Sequence, residues 1–150
     1  SASRIRMTTL YLVANDKNYL VVGTGNRVED YGIGFFTKYG DGGIDISPIA
    51  DLLKSEVYAL AKFLGVPQSI QEAVPTDGLW DDNRSDEDQI GATYEELEWA
   101  LKYYDEVGHN RSKLTPRQSE VLSIYEKRHL GTQHKLRLPP TCLIPENLKH

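Results

Sequence analysis

A single cysteine, Cys142, excludes an intrachain disulfide and is compatible with a reducing compartment. Histidine is nearly as scarce: four scattered residues offer neither zinc-ligand spacing nor a Ser-His-Asp or Cys-His arrangement. No apolar run approaches the roughly 18 residues of a membrane span, and no signal-peptide pattern opens the chain. The expectation is a cytoplasmic protein with no membrane contact. Basic residues are in deficit, 17 against 22 acidic ones for a net charge of −5, which weakens a nucleic-acid reading. A local basic pocket for a phosphate remains compatible with that balance. The chain opens on Ser1-Ala2-Ser3 without methionine, so we expect something upstream to be missing.

What is there fits a globular domain of ordinary size, with 39% hydrophobic and 26% charged residues. Ser3 predicts the cap of a helix over Arg4–Val13, with Ile5, Leu10 and Tyr11 as its apolar positions. Asn15-Asp16-Lys17-Asn18 is a turn cluster. Tyr19-Leu20-Val21-Val22-Gly23 predicts a buried parallel strand, the only convincing strand in the sequence. Ser47 and Pro48 predict the start of a helix whose apolar residues run from Ile49 to Leu64, ended by Gly65 and Pro67. Pro67 then opens a short helix to Ala73. Thr93 with Glu96 starts a helix to about Tyr104, bearing Tyr94, Leu97 and Leu101 on one face. Thr115-Pro116 with Gln118 starts another, with Lys127, Arg128 and His129 in its last turn and Gly131 as its cap.

Two long polar passages interrupt these elements. Gly23 to Asp45 carries seven glycines, and so long a loop inside a compact domain is usually functional. Pro75 to Gly91 is acidic but includes Leu79 and Trp80, and predicts a lid over a site rather than a linker.

Several residues in and around these passages could carry chemistry. Thr24, in Val22-Gly23-Thr24-Gly25-Asn26, sits at the carboxyl end of the predicted strand, where open α/β sheets bind ligands. Glu29 is a carboxylate near that turn, able to hold Mg²⁺ with substrate phosphates or to be a plain surface glutamate. Lys38 and Asp41 lie in Phe35-Phe36-Thr37-Lys38-Tyr39-Gly40-Asp41-Gly42-Gly43, whose backbone N–H groups could form an anion nest. Lys54 flanks the apolar stripe of the following helix, as a snorkelling lysine or a phosphate contact. His134-Lys135 with Arg137 is a basic cluster in an acidic chain.

Val21–Glu29, Gly34–Gly65 and Pro75–Thr76 together resemble the synthetase domain of NAD synthetases, in the ammonia-dependent bacterial form. The Phe-Phe-Thr-Lys-Tyr-Gly-Asp-Gly-Gly run with Asp45, Pro48 and Lys54 carries most of that resemblance, which extends more weakly from Arg4 through His134-Lys135. It implies a doubly wound α/β fold of the adenine-nucleotide α-hydrolase type, here partial and mostly helical. It also implies a homodimer that adenylates deamido-NAD with Mg-ATP, releases pyrophosphate, and lets ammonia displace AMP.

By matching position, Thr24, Lys54 and Thr76 would contact ATP, and Glu29 would hold Mg²⁺. Arg4, Lys38, Asp45, His134 and Lys135 would contact deamido-NAD. Asp41 would bind ammonium and take its proton, with Asp41 and Lys54 as the catalytic pair. The family's Ser-Gly-Gly-x-Asp-Ser pyrophosphatase loop is absent, so residues 1–150 are expected to be the C-terminal part of the domain, inactive alone. The spacing from Glu29 to Lys38 is one residue longer than in some members. Other readings are a different amidating ligase of the ATP-pyrophosphatase type and a non-catalytic helical interaction module. Glutamine delivered by a glutaminase domain or partner is the alternative nitrogen source.

Overall fold

The computed structural model describes residues 1–76, 78 and 84–149, and helices dominate it. In chain order these are α1 (Ala2–Lys17), α2 (Lys54–Phe63), α3 (Gln68–Gln71), α4 (Asp86–Ile90), α5 (Tyr94–Val107) and α6 (Pro116–Leu136). A π-helical turn spans Arg27–Gly32, and a 3-10 turn spans Glu146–Leu148. Among the described residues no helix is long and apolar enough to cross a membrane.

The core lies between α5 and α6. Both start at capping boxes: the Thr93 and Thr115 hydroxyls accept from the Glu96 and Gln118 N–H groups, and those side chains accept from the threonine N–H groups in return. Leu97, Ala100 and Leu101 of α5 pack in one cluster with Val121 and Tyr125 of α6. Burying each large apolar side chain of this kind contributes about 1.5–3 kcal/mol. Val28 and Ile33 extend the cluster from the π-turn, and Leu53 from the start of α2. The site loop is therefore rooted in the core at both ends.

Several elements depart from expectation. α1 runs from Ala2 to Lys17; Ser3 and Ala14 are buried and Met7 and the expected Tyr11 half-buried, whereas Ile5 and Leu10 are solvent-exposed. Ser3 does not cap the helix; its hydroxyl bonds Asp41 instead. The predicted strand is reduced to a single parallel bridge, Val22 to Ile46, and of Tyr19–Val22 only Val21 is buried. Gly23 N donates to Ile46 O and Asp45 N to Val21 O, so pairing is satisfied on one side alone. α2 begins at Lys54, not Pro48: residues 48–52 form turns, with Leu52 N bonded to Ile49 O, and Arg27 N takes Leu52 O at 2.9 Å and keeps it out of the helix.

α4 is a helix where only a lid loop was expected, capped by Ser85. The rest of that lid, including Leu79 and Trp80, lies largely outside the described residues. α5 continues three residues past Tyr104, and α6 passes through Gly131 to Leu136. Glycine inside a helix costs about 1 kcal/mol relative to alanine, so contacts made beyond it must offset that.

Gly34 and Gly65 both have positive φ, 59° and 69°. A Cβ on Gly34 would lie 2.2 Å from Thr132 Oγ1, whereas one on Gly65 would meet nothing within 4 Å. Gly65→Ala should therefore cost about 1 kcal/mol for backbone strain alone, and Gly34→Ala about 2–4 kcal/mol. Urea unfolding of the two variants measures the difference, and equal losses would contradict the packing described.

Candidate functional site

The glycine-rich loop borrows its shape from its neighbours. Glu29 sits in the π-turn, a one-residue widening of a helix often found at functional sites. Its five-residue bond runs from Ile33 N to Val28 O at 3.0 Å. Asn26, 2% exposed, caps the turn through Oδ1, which accepts from both Val28 N and Glu29 N at 3.0 Å.

Beyond the turn, the last two turns of α6 hold the loop's carbonyls. His129 Nδ1–H donates to Gly32 O at 2.7 Å, and its ring stacks on Tyr125. Lys135 Nζ donates to both Gly34 O and Phe36 O at 2.7 Å. In the reverse direction, Lys38 Nζ reaches the carbonyls of His134 and Arg137. These bonds explain why α6 continues past Gly131.

Two clusters result. The first surrounds Glu29. Its Oε1 accepts from Lys54 Nζ at 2.7 Å and its Oε2 from Asn26 Nδ2 at 2.6 Å. Lys54 lies 4.7 Å from the centre of the Tyr94 ring. Burial, then the neighbouring Glu29 and Asp86 carboxylates, push the Tyr94 hydroxyl above its usual range. Glu98 of α5 accepts from Ser55 N and Oγ at 2.8 Å, which secures the first turn of α2 and so the root of Lys54. The second cluster surrounds Asp41, whose Oδ1 accepts from Ser3 Oγ at 2.7 Å and Thr37 N at 3.1 Å.

A cleft of about 560 Å³ runs between α1, the 21–24 segment, the 33–44 loop and α6. Thr24, Asp41 and Lys135 line it, together with Arg6, Phe36 and Arg128. Burial lowers the affinity of both Lys135 and Arg128 for their protons.

Other expected site residues stand elsewhere. Arg4 is exposed on α1, outside the cleft lining. Asp45 takes Tyr11 Oη at 3.0 Å and Val21 N at 2.8 Å, a bond set that ties α1 to the bridge segment. Thr76 accepts from Gly78 N at the edge of the described part of the lid. His134 is exposed and contributes its carbonyl to Lys38. Sequence reasoning missed Ser3, Asn26, Asp30, Tyr94, Glu98 and His129. Only Asn26 carried a signal, as a capping residue three positions before a glutamate.

Asp30 sits between the clusters with its carboxylate over Gly25, where a Cβ would lie 1.8 Å from Oδ2. Burial, with smaller contributions from Glu29 and Asp41 and opposed by Lys135, pushes its pKa up to about 7. The folded state thus keeps a proton that the unfolded chain releases near pH 4, and stability falls as pH rises between those values. In metal-free buffer, Asp30→Asn should gain in Tm relative to the unsubstituted protein between pH 5 and pH 8. A pH-independent difference would contradict the assignment.

The model of the NAD synthase family matches residues 1–139. The NH(3)-dependent NAD(+) synthetase of Alkaliphilus oremlandii (strain OhILAs) is 48% identical over 139 residues, 93% of this chain and 50% of that protein. That of Syntrophomonas wolfei is 43% identical over 148 residues, 99% of this chain and 54% of its own. Among solved structures, NMN synthetase from Francisella tularensis superposes with a TM-score of 0.73 at 36% identity, covering 96% of this chain and 54% of that one. An NH3-dependent NAD synthetase from Campylobacter jejuni, in complex with nitrate, gives 0.69 at 29% identity, with 95% and 53% covered. The chain spans about half the length of the curated relatives it matches.

Proposed function

The chain belongs to the NAD synthase family and has part of its adenine-nucleotide α-hydrolase-like α/β fold, and from that premise we propose that it forms one wall of an ATP-dependent amidation site. The substrate of the reading is deamido-NAD. Its carboxylate oxygen attacks the α-phosphorus of ATP, pyrophosphate leaves, and ammonia then attacks the acyl carbon as AMP departs. The observation that carries the reading is the pairing of two clusters on one loop: Glu29 with Lys54, and Asp41 at the cleft.

Each residue has a physical task in this scheme. Thr24, at the mouth of the glycine turn, and Lys54 would meet the nucleotide, Lys54 neutralising charge on the departing pyrophosphate. Thr76, at the start of the passage expected as a lid, would join them. Glu29 would hold Mg²⁺. The donor set fits a hard cation that also takes phosphate oxygens: one half-buried carboxylate, Glu29, already faces a cation. When bound, that ion withdraws charge from the phosphates.

Asp41 would bind ammonium and take its proton through Oδ2, the oxygen outside its bonds to Ser3 and Thr37. Lys135 of the cleft, and beyond its lining Lys38, Asp45, Arg4 and His134, would position deamido-NAD. The passage expected as a lid, from Pro75 to the start of α4, would keep water from the adenylate. Ammonia is the nitrogen donor of this reading and a second copy of the chain its partner; the exposed Ile5, Leu12 and Val13 of α1 support the latter.

The test is amide and AMP formation by the full-length protein supplied with ATP, Mg²⁺, ammonium and deamido-NAD, with its mononucleotide half run in parallel. Faster turnover of the dinucleotide supports the reading; turnover of the mononucleotide alone moves the substrate, and turnover of neither contradicts it. Lys54→Ala should lower kcat by about 100-fold or more, and a near-normal rate would remove Lys54 from the nucleotide site.

A further inference from the structure

The Glu29 carboxylate has both oxygens engaged. Lys54 holds Oε1 and Asn26 holds Oε2, while the nearby Tyr94 hydroxyl donates to Asp86 Oδ2 at 3.1 Å. The paired side chains of Lys54 and Glu29 are only 18% and 15% exposed. A half-buried carboxylate stripped of its cation is strongly disfavoured, so in the ligand-free protein the lysine stays. A divalent ion and an ammonium cannot share Glu29 comfortably either, because like charges a few ångströms apart repel strongly in a partly desolvated site.

We propose that Lys54 is the resident counter-ion of Glu29, and that a divalent cation reaches this carboxylate only when a nucleotide's phosphates draw the lysine away. The inference rests on the proposed function and adds an order of binding to it: nucleotide and metal arrive together, not metal first. The chemistry of the lysine suits the exchange. Its ammonium is a point charge on a flexible stem, able to trade a carboxylate for a phosphate without a fixed fork of donors to re-align. The Tyr94 ring at 4.7 Å and the Tyr58 ring at 6.0 Å give it a cation–π surface during the transfer. A purely structural ion pair, holding α2 to the loop, would keep a divalent ion off Glu29 whether or not a nucleotide is bound.

Mn²⁺ titration followed by electron paramagnetic resonance on the full-length protein separates the two. The unsubstituted protein should bind Mn²⁺ weakly alone and tightly with a non-hydrolysable ATP analogue. Lys54→Met should bind Mn²⁺ alone about tenfold or more tighter than the unsubstituted protein, and adding Glu29→Gln should abolish that gain. Lys54→Arg, which keeps a cation on Glu29, should stay weak. Lys54→Gln serves in place of Lys54→Met if circular dichroism shows the latter unfolded. A folded Lys54→Met or Lys54→Gln protein with no gain in Mn²⁺ affinity overturns the exchange alone. Absence of Mn²⁺ binding even with the analogue overturns the exchange together with the functional reading beneath it.

Discussion

The loop that carries the candidate site has little regular hydrogen bonding of its own, and α6 supplies what it lacks. His129 and Lys135 satisfy the carbonyls of Gly32, Gly34 and Phe36, and Lys38 returns the favour to the carbonyls of His134 and Arg137. Each such bond contributes on the order of 1 kcal/mol, more where the donor is charged. Together they offset the cost of ordering a glycine-rich segment and of running a helix through Gly131. Remove that face of α6 and both clusters lose their frame, because the π-turn is anchored to the same helix through Tyr125 and His129.

Charge is organised by the same scaffold. Lys54 stands at the first position of α2, and its direction depends on a carboxylate from another helix, Glu98, which secures Ser55. Glu29 is aimed by Asn26, which caps the turn and also donates to it. The carboxylates of the loop are thus spread along a path from Glu29 through Asp30 to Asp41, with Lys54 at one end and Lys135 towards the other. A nucleotide triphosphate at the first end and an ammonium at the second would find opposite charges waiting, which is the electrostatic sense of two clusters on one loop.

Much of this was legible in the sequence, and the exceptions have physical causes. The helices α5 and α6 announce themselves through Thr93-x-x-Glu96 and Thr115-x-x-Gln118, signals that are local and complete. The Glu29–Lys54 pair was foreseeable only as two candidates, since nothing in a spacing of 25 residues says that their side chains meet. Ser47-Pro48 is an equally good local start signal, yet α2 begins at Lys54 because a non-local bond from Arg27 holds Leu52 out of the helix. Ile5 and Leu10 lost to Ser3 and Met7 because the loop packs against a small and flexible face. Asp45 and His134, read as ligand contacts, also have tasks within the chain: the first accepts from Val21 N and Tyr11 Oη, and the second gives its carbonyl to Lys38. The strand at 19–23 pairs on one side alone, so its apolar run gives a bridge and not a sheet.

An adenylating amidation served by this loop passes a carboxylate oxygen to phosphorus. Deamido-NAD labelled with ¹⁸O in its carboxylate, turned over by the full-length protein with ATP and ammonium, tests this directly by mass spectrometry of the products. One ¹⁸O is expected in the phosphate of AMP for each amide formed. Label appearing in inorganic phosphate or pyrophosphate, or AMP free of label, would contradict it.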